Sequence, residues 1–255
     1  MTPRIRLVTR GDDAGSCETA NRAIRDCFER GILRNTSVMT PAPAFAHAAQ
    51  LLKDLDGLCI GLHGCLNSEW TQVKWGPVAP REAVPSLVTT RGHLFQNPTL
   101  LHRHGFNPDE IIVELQAQLD LARAHGLRIE YLDCHMGFNW LEGVHDRVTA
   151  FAAREGLIFH PTGIQRLPGV TGDYANDVAR FIARLDAAAP GTYIAVTHPG
   201  YVAPDMARMG HGREHNVAES RDWQRRVFMD PAVVDYCATH GVEPIHYTDL
   251  QGTNA

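Results

Sequence analysis

The feature that most constrains this chain is an alternation sustained along most of its 255 residues: short apolar runs of β type, separated by stretches with apolar residues at helical spacing. The pattern predicts strands over 5–9, 36–40, 58–62, 129–132, 157–159, 193–197 and 243–247. It predicts helices over 19–30, 44–55, 108–124, 144–154, 174–188, 216–228 and 231–240. Local punctuation agrees: Pro108 opens one helix, while Gly31 and Gly126 stop two others. Strands separated by helices describe a parallel α/β sheet with right-handed crossovers. The expected architecture is a distorted (β/α) barrel of about seven strands, with an open doubly wound sheet as the alternative. One irregular segment, 67–108, is rich in Pro, Gly and Trp and too long for a simple connector. It reads as a lid or binding insertion within a single domain covering 1–255.

Composition excludes several functional classes. Lys plus Arg is 24 and Asp plus Glu is 29, a formal net charge of −5, which gives no electrostatic footprint for nucleic acid or an anionic membrane surface. No apolar run reaches the roughly 18 residues of a transmembrane helix. The start of the chain runs straight into a strand without the pattern of a secretory signal, so the expected location is the cytoplasm. The six cysteines form no C-x-x-C pair and read as small hydrophobes in a reducing compartment. Fourteen histidines are unusual. Most read as surface groups, but a few end apolar runs.

In β/α folds, chemistry gathers where strands end and the following loops begin. The first strand ends in Gly11-Asp12-Asp13-Ala14-Gly15, the third in Gly61-Leu62-His63-Gly64. The strand near Tyr131 ends in Asp133-Cys134-His135, that near Ala195 in Thr197-His198-Pro199-Gly200. Each has an ordinary reading: a helix cap for the Asp pair, a structural polar residue for each His. Together, acidic or imidazole groups ending four strands converge on one barrel mouth. One Asp and two His suit a divalent cation with positions left open, and an Asp and a His remain as an acid–base pair. Alternation puts Asp133 and His135 on one face and Cys134 on the other, so Asp133 suits the orienting of a ligand imidazole.

The order D-D-x-G, G-L-H, L-D-x-H and H-P-G resembles the YdjC-like carbohydrate deacetylases, from Val8 through the helix around Arg221. Thr36-Ser37-Val38-Met39, the helix with Glu114, Gln116 and Gln118, and the stretch holding Ser68-Glu69-Trp70 and Trp75-Gly76-Pro77 add to the likeness. The resemblance implies a barrel similar to polysaccharide deacetylases and one divalent metal ion, zinc or magnesium, with manganese or cobalt also open. It implies a small-molecule or oligosaccharide substrate, and a homodimer. Carried over by position, Asp13, His63 and His135 match the metal ligands, Asp12 the catalytic base, and His198 a candidate acid, with Asp133 holding His135. The activity implied is removal of N-acetyl groups from amino sugars or short oligosaccharides. Many relatives read D-x-H-x-H, where this chain has Gly137, so no further imidazole comes from that position.

Sugar binding favours flat apolar faces and polar arms. Trp70 and Trp75 are candidate stacking platforms, with packing of the 67–108 segment as the equal alternative, and Trp140 has the same ambiguity. Asn139, near Gly137, and Arg166 are candidate polar contacts to substrate; Tyr201 and Arg221 are weaker ones. The competing readings are another metal-dependent barrel enzyme acting on an ester or other amide, an isomerase or aldolase, and a non-catalytic sugar-binding relative.

Overall fold

The computed structural model describes residues 4–212 and 215–250. Seven strands form one parallel sheet: β1 (Ile5–Ala14), β2 (Asn35–Val38), β3 (Cys59–Gly64), β4 (Ile129–Cys134), β5 (Ile164–Arg166), β6 (Gly191–Thr197) and β7 (Val242–Ile245). Helices α1 (Glu18–Arg30), α2 (Phe45–Leu52), α3 (Pro98–His104), α4 (Pro108–Ala124), α5 (Val144–Glu155), α6 (Asp177–Asp186), α7 (Ala218–Met229) and α8 (Pro231–Thr239) account for most of the connections. The strand order is β4-β3-β2-β1-β6-β5. β1 is the axis. β6 runs along one edge, and β7 and β2 share the other, β7 at residues 5–8 and β2 at residues 10–14.

The sheet curls into a partial barrel. Val8 on β1, Cys59 on β3, Tyr131 on β4 and Ile245 on β7 share one buried cluster, against which Ile164 of β5 packs. Side chains from strands two and three places apart meet only if the sheet bends round on itself. Gly61 makes room for this interior: a Cβ there would overlap the Tyr131 ring. The outer face carries the larger core, where Ile5 and Leu7 pack with Ile24 of α1 and Leu33. β4 and β5 stand at opposite ends of the strand order and do not pair, so the barrel expected from the sequence is distorted and incomplete. No helix among the described residues is long and apolar enough to cross a membrane.

Two elements differ from expectation. Residues 157–159 form only an isolated bridge, Ile158 to Tyr131, and the strand lies at β5 instead. His160 turns to a positive φ of 45° and Pro161 follows, which ends any extended run there. Helix α3 was not anticipated within the irregular segment. It begins with Asn97, whose side chain accepts from Leu100 N, and Pro98 in its first turn, but seven residues are too few for a periodic signal.

The segment after β3 is tied down by α4. Gln118 exchanges hydrogen bonds with the Cys65 backbone, and its Nε2 also donates to Glu114. The Glu114 carboxylate accepts from Val78 N and Ala79 N, both at 2.9 Å. Trp75 is buried, its indole N–H donating to Asn67 O at 2.9 Å. Burial outweighs the Glu114 donors and pushes this carboxyl up to about 7. The folded protein then holds a proton that the unfolded chain releases above the ordinary Glu range. The group's contribution is present at acid pH and lost as pH rises toward 7. Urea unfolding between about pH 5 and pH 7.5 is expected to show wild-type stability falling more steeply than that of Glu114→Gln; parallel profiles would contradict this.

Candidate active site

Adjacent residues of a regular strand face opposite sides, so Asp12 and Asp13 could not both serve one site from an ideal β1. The end of β1 is not ideal. Gly11 pairs with Thr36 and Ala14 with Val38, three steps along β1 against two along β2, which is a bulge. Asp13 adopts a φ of 66°, in the left-handed region that Asp tolerates better than most residues. Both buried carboxylates thereby reach the same opening.

His63, on β3, lies directly opposite Asp133 on β4. Its Nδ1 is 2.8 Å from Asp133 Oδ2. His135 follows β4 at the head of a short turn in which Met136 and Gly137 take positive φ values of 52° and 63°. The turn brings His135 Nδ1 to 3.0 Å from His63 Nε2. Asp13 Oδ1 stands 3.5 Å from each of these nitrogens and has no hydrogen-bond partner. Its other oxygen accepts from Arg221 at 3.0 Å. On the far side of His135, Nε2 is 3.2 Å from Glu69 Oε1, without the alignment of a hydrogen bond. Glu69 is itself buried and held by Asn67 Nδ2 at 3.0 Å.

With one nitrogen of each imidazole turned to a carboxylate, the remaining nitrogens present lone pairs to each other and to a bare carboxylate oxygen. Three buried acceptors so close repel unless a proton or a cation sits among them. Their separations of 3.0 and 3.5 Å suit ligands about 2.0–2.2 Å from one ion, and the donor set of two imidazoles and one carboxylate suits a divalent metal. Burial lowers the His63 pKa, but the charges of Asp133 and Asp12 outweigh it and raise it well above the usual range. Burial also opposes ionisation of Asp13, yet Arg221 and the imidazoles hold it well below the usual carboxylate range.

One guanidinium bridges two further carboxylates. Arg10 donates to both oxygens of Asp12, at 2.6 and 2.8 Å, and reaches Asp133 Oδ2 at 3.1 Å. Asp12, His63 and Asp133 also cluster closely enough for an ion, but a guanidinium occupies that role. His198, just beyond β6, is oriented by Gln224 of α7. Gln224 Oε1 accepts from His198 N at 2.9 Å and lies 3.2 Å from its Nδ1, so Nδ1 carries a proton and Nε2 is the free position. Burial lowers the His198 pKa; Asp13 acts against that and Arg221 with it, and the net shift is downward. A narrow cleft bordered by Asp13, Trp70, His198 and Arg221 opens onto the set.

The geometry brings together Asp12, Asp13, His63, Asp133, His135, His198 and Arg221, and places Trp70 beside them. It differs from the sequence reading in several places. Asp133 orients His63 rather than His135, because it is directly opposite His63 in the sheet; Glu69 stands behind His135 instead. Trp75 packs the insertion and shows no free face. Asn139 Nδ2 contacts His160 at 3.1 Å, and Tyr201 bonds Asp26 of α1. Arg166 ends β5 on the wall of a separate, larger cavity. A Cβ at Gly137 would meet no atom within 4 Å, so the departure from D-x-H-x-H leaves open space. Three residues were missed. Arg10 was legible, two places before Asp12 on one strand; Glu69 stood within a stretch that adds to the family likeness but was given no role, and Gln224 has no local signal.

A family model described as YdjC-like protein matches residues 6–239. A carbohydrate deacetylase of Geobacillus stearothermophilus is 29% identical over 97% of this chain and 98% of its own length. A chitooligosaccharide deacetylase of Enterobacter sp. (strain 638) is 27% identical over 77% of this chain and 82% of its own. A crystal structure from Enterococcus faecalis V583, provisionally described as a cellobiose-phosphate cleavage protein, superposes with a TM-score of 0.79 at 20% identity. It covers 96% of this chain and 98% of that one, and supports the fold.

The position of Glu69 generates a test. A carboxylate behind a ligand imidazole fixes its tautomer, and its loss costs about 10- to 100-fold in metal affinity. Titration of zinc into apo-protein is expected to show that weakening for Glu69→Ala and a smaller one for Glu69→Gln; unchanged affinity in both would remove Glu69 from the site.

Proposed function

This chain belongs to the YdjC-like family, and from that premise we propose that it is a divalent-cation-dependent hydrolase that removes N-acetyl groups from amino sugars or short N-acetylated oligosaccharides. The observation that carries the reading is the convergence of Asp13 Oδ1, His63 Nε2 and His135 Nδ1, flanked by a clamped carboxylate and a free imidazole nitrogen. The names of the relatives support the substrate class.

Asp13, His63 and His135 would hold the cation. Two imidazoles suit zinc, while magnesium, manganese and cobalt remain open at a site that also offers oxygen. When bound, a divalent cation acidifies a water toward neutrality and polarises the acetyl carbonyl. Asp12, held by Arg10 with lone pairs remaining, takes the proton of the attacking water. Arg10 holds the Asp12 carboxylate in place and keeps Asp133 ionised, and Asp133 keeps His63 in the tautomer that leaves Nε2 bare. His198 acts at the other end. The amide nitrogen leaves only once protonated, and Nε2 of His198 is the atom placed to deliver that proton. Because burial pushes the His198 pKa down, the imidazole first takes up a proton from solvent and then donates it to the leaving nitrogen. That downward shift also favours a second assignment, in which His198 removes the proton from water and Asp12 only orients.

Asp13→Asn is expected to lose both bound cation and acetate release from a short N-acetylated oligosaccharide; full metal content with full activity would refute the ligand assignment. His198→Ala is expected to lower kcat by about 10²- to 10⁴-fold on sugar amides. It should cost much less on an N-acetyl anilide whose amine leaves readily. An equal loss on both would favour His198 as the base.

A further inference from the structure

The Arg10 guanidinium uses all three of its nitrogens, and the site described above accounts for two. Nε and Nη2 fork the Asp12 carboxylate, and Nη2 also reaches Asp133. Nη1 donates to the hydroxyl of Tyr247 at 3.0 Å. Register brings these two residues together: Val8 pairs with Ile245, and Arg10 and Tyr247 each stand two places further along. Tyr247 opens a short 3-10 turn, Tyr247–Leu250, beyond residue 239, where the family match ends.

Tyr247 is held in place without help from its hydroxyl. Its backbone N–H donates to Asn35 Oδ1 at 2.9 Å. Asn35 Nδ2 donates to the carbonyls of Thr9 on β1 and Ile245 on β7, both at 2.9 Å, so one side chain fixes the spacing of the two strands. The Tyr247 ring is buried against that of Tyr131, with centroids 4.2 Å apart, and the Tyr131 hydroxyl lies 2.8 Å from Ser37 Oγ. Burial raises the Tyr247 pKa, and the charge of Arg10 opposes this without reversing it. The oxygen therefore meets Arg10 as a neutral phenol, an acceptor that adds no third negative charge beside Asp12 and Asp133.

A planar guanidinium held along one edge can swing together with the carboxylate it holds, and a fixed acceptor at its third nitrogen removes that freedom. The Arg10 side chain is only 13% exposed, so water is poorly placed to replace a lost acceptor. We infer that Tyr247 is a positioning residue for Asp12: its hydroxyl locks the plane of Arg10, and Arg10 aims the Asp12 carboxylate into the opening. The inference rests on the deacetylase reading for what Asp12 does there, as proton acceptor or as orienter of the water.

Tyr247→Phe keeps the ring and backbone contacts and removes one oxygen, so the variant is expected to fold, which circular dichroism checks. With zinc saturating, acetate release from a short N-acetylated oligosaccharide is expected to show kcat lowered by about 10- to 100-fold, with KM and zinc affinity little changed. In an Asp12→Asn background the same substitution is expected to cost little more, because the two residues act through one path. Wild-type kcat in Tyr247→Phe, or an equal loss in both backgrounds, overturns the inference. A readout independent of turnover is the Arg10 Nε–H signal in proton–nitrogen correlation spectra, identified by its absence from Arg10→Lys. It is expected to shift and to exchange faster with water in Tyr247→Phe; an unmoved signal overturns the inference. Absence of acetate from the wild type counts against the deacetylase reading instead, and the Arg10 signal still decides whether Tyr247 locks the guanidinium.

Discussion

Asp13 Oδ1, His63 Nε2 and His135 Nδ1 face one another within 3.5 Å in a buried opening, and the surrounding residues are arranged around that crowding of acceptors. Each of the three is turned inward by a partner on its far side: Arg221 for Asp13, Asp133 for His63, Glu69 for His135. The arrangement is strained as bare protein chemistry and coherent around a positive charge. A proton on His63 and a divalent cation are the two occupants the geometry can take, so binding of the cation releases a proton.

The fold supplies this opening by a local irregularity on its most central strand. β1 is flanked by three strands, and its bulge over Asp12 and Asp13 lies past the last residues that pair with β7 and β6, where β2 alone still pairs with it. Without the bulge one carboxylate would point into the outer core, where Ile24 and Leu33 pack. The curl of the sheet does the rest. Arg10 on β1 can bridge to Asp133 on β4 only because strands three places apart have been brought round to the same interior.

Much of this was legible in the sequence because the polar residues lie at the ends of apolar runs, where burial and chain direction are set by strand periodicity. Six of the seven parallel strands, and Asp12, Asp13, His63, Asp133, His135 and His198 at one mouth, follow from that rule. What the rule could not reach depends on contacts between distant segments. Which histidine Asp133 supports is settled by register, since His63 and Asp133 are direct neighbours across the sheet. Glu69 comes from the irregular segment, whose path is fixed by Glu114 and Gln118 of α4 rather than by a local pattern. Trp75 is an aromatic near the site in sequence, but its indole closes that same segment. Residues 157–159 have the composition of a strand, yet the turn at His160 and Pro161 leaves room for one bridge only.

The central claim is that three side chains from β1, β3 and the end of β4 hold one divalent cation. Anomalous diffraction at the absorption edge of zinc, on crystals grown with that metal, tests it most directly. The account expects a single strong peak bonded at about 2.0–2.2 Å to Asp13 Oδ1, His63 Nε2 and His135 Nδ1. A peak bound elsewhere, or none at this opening under saturating metal, would contradict it.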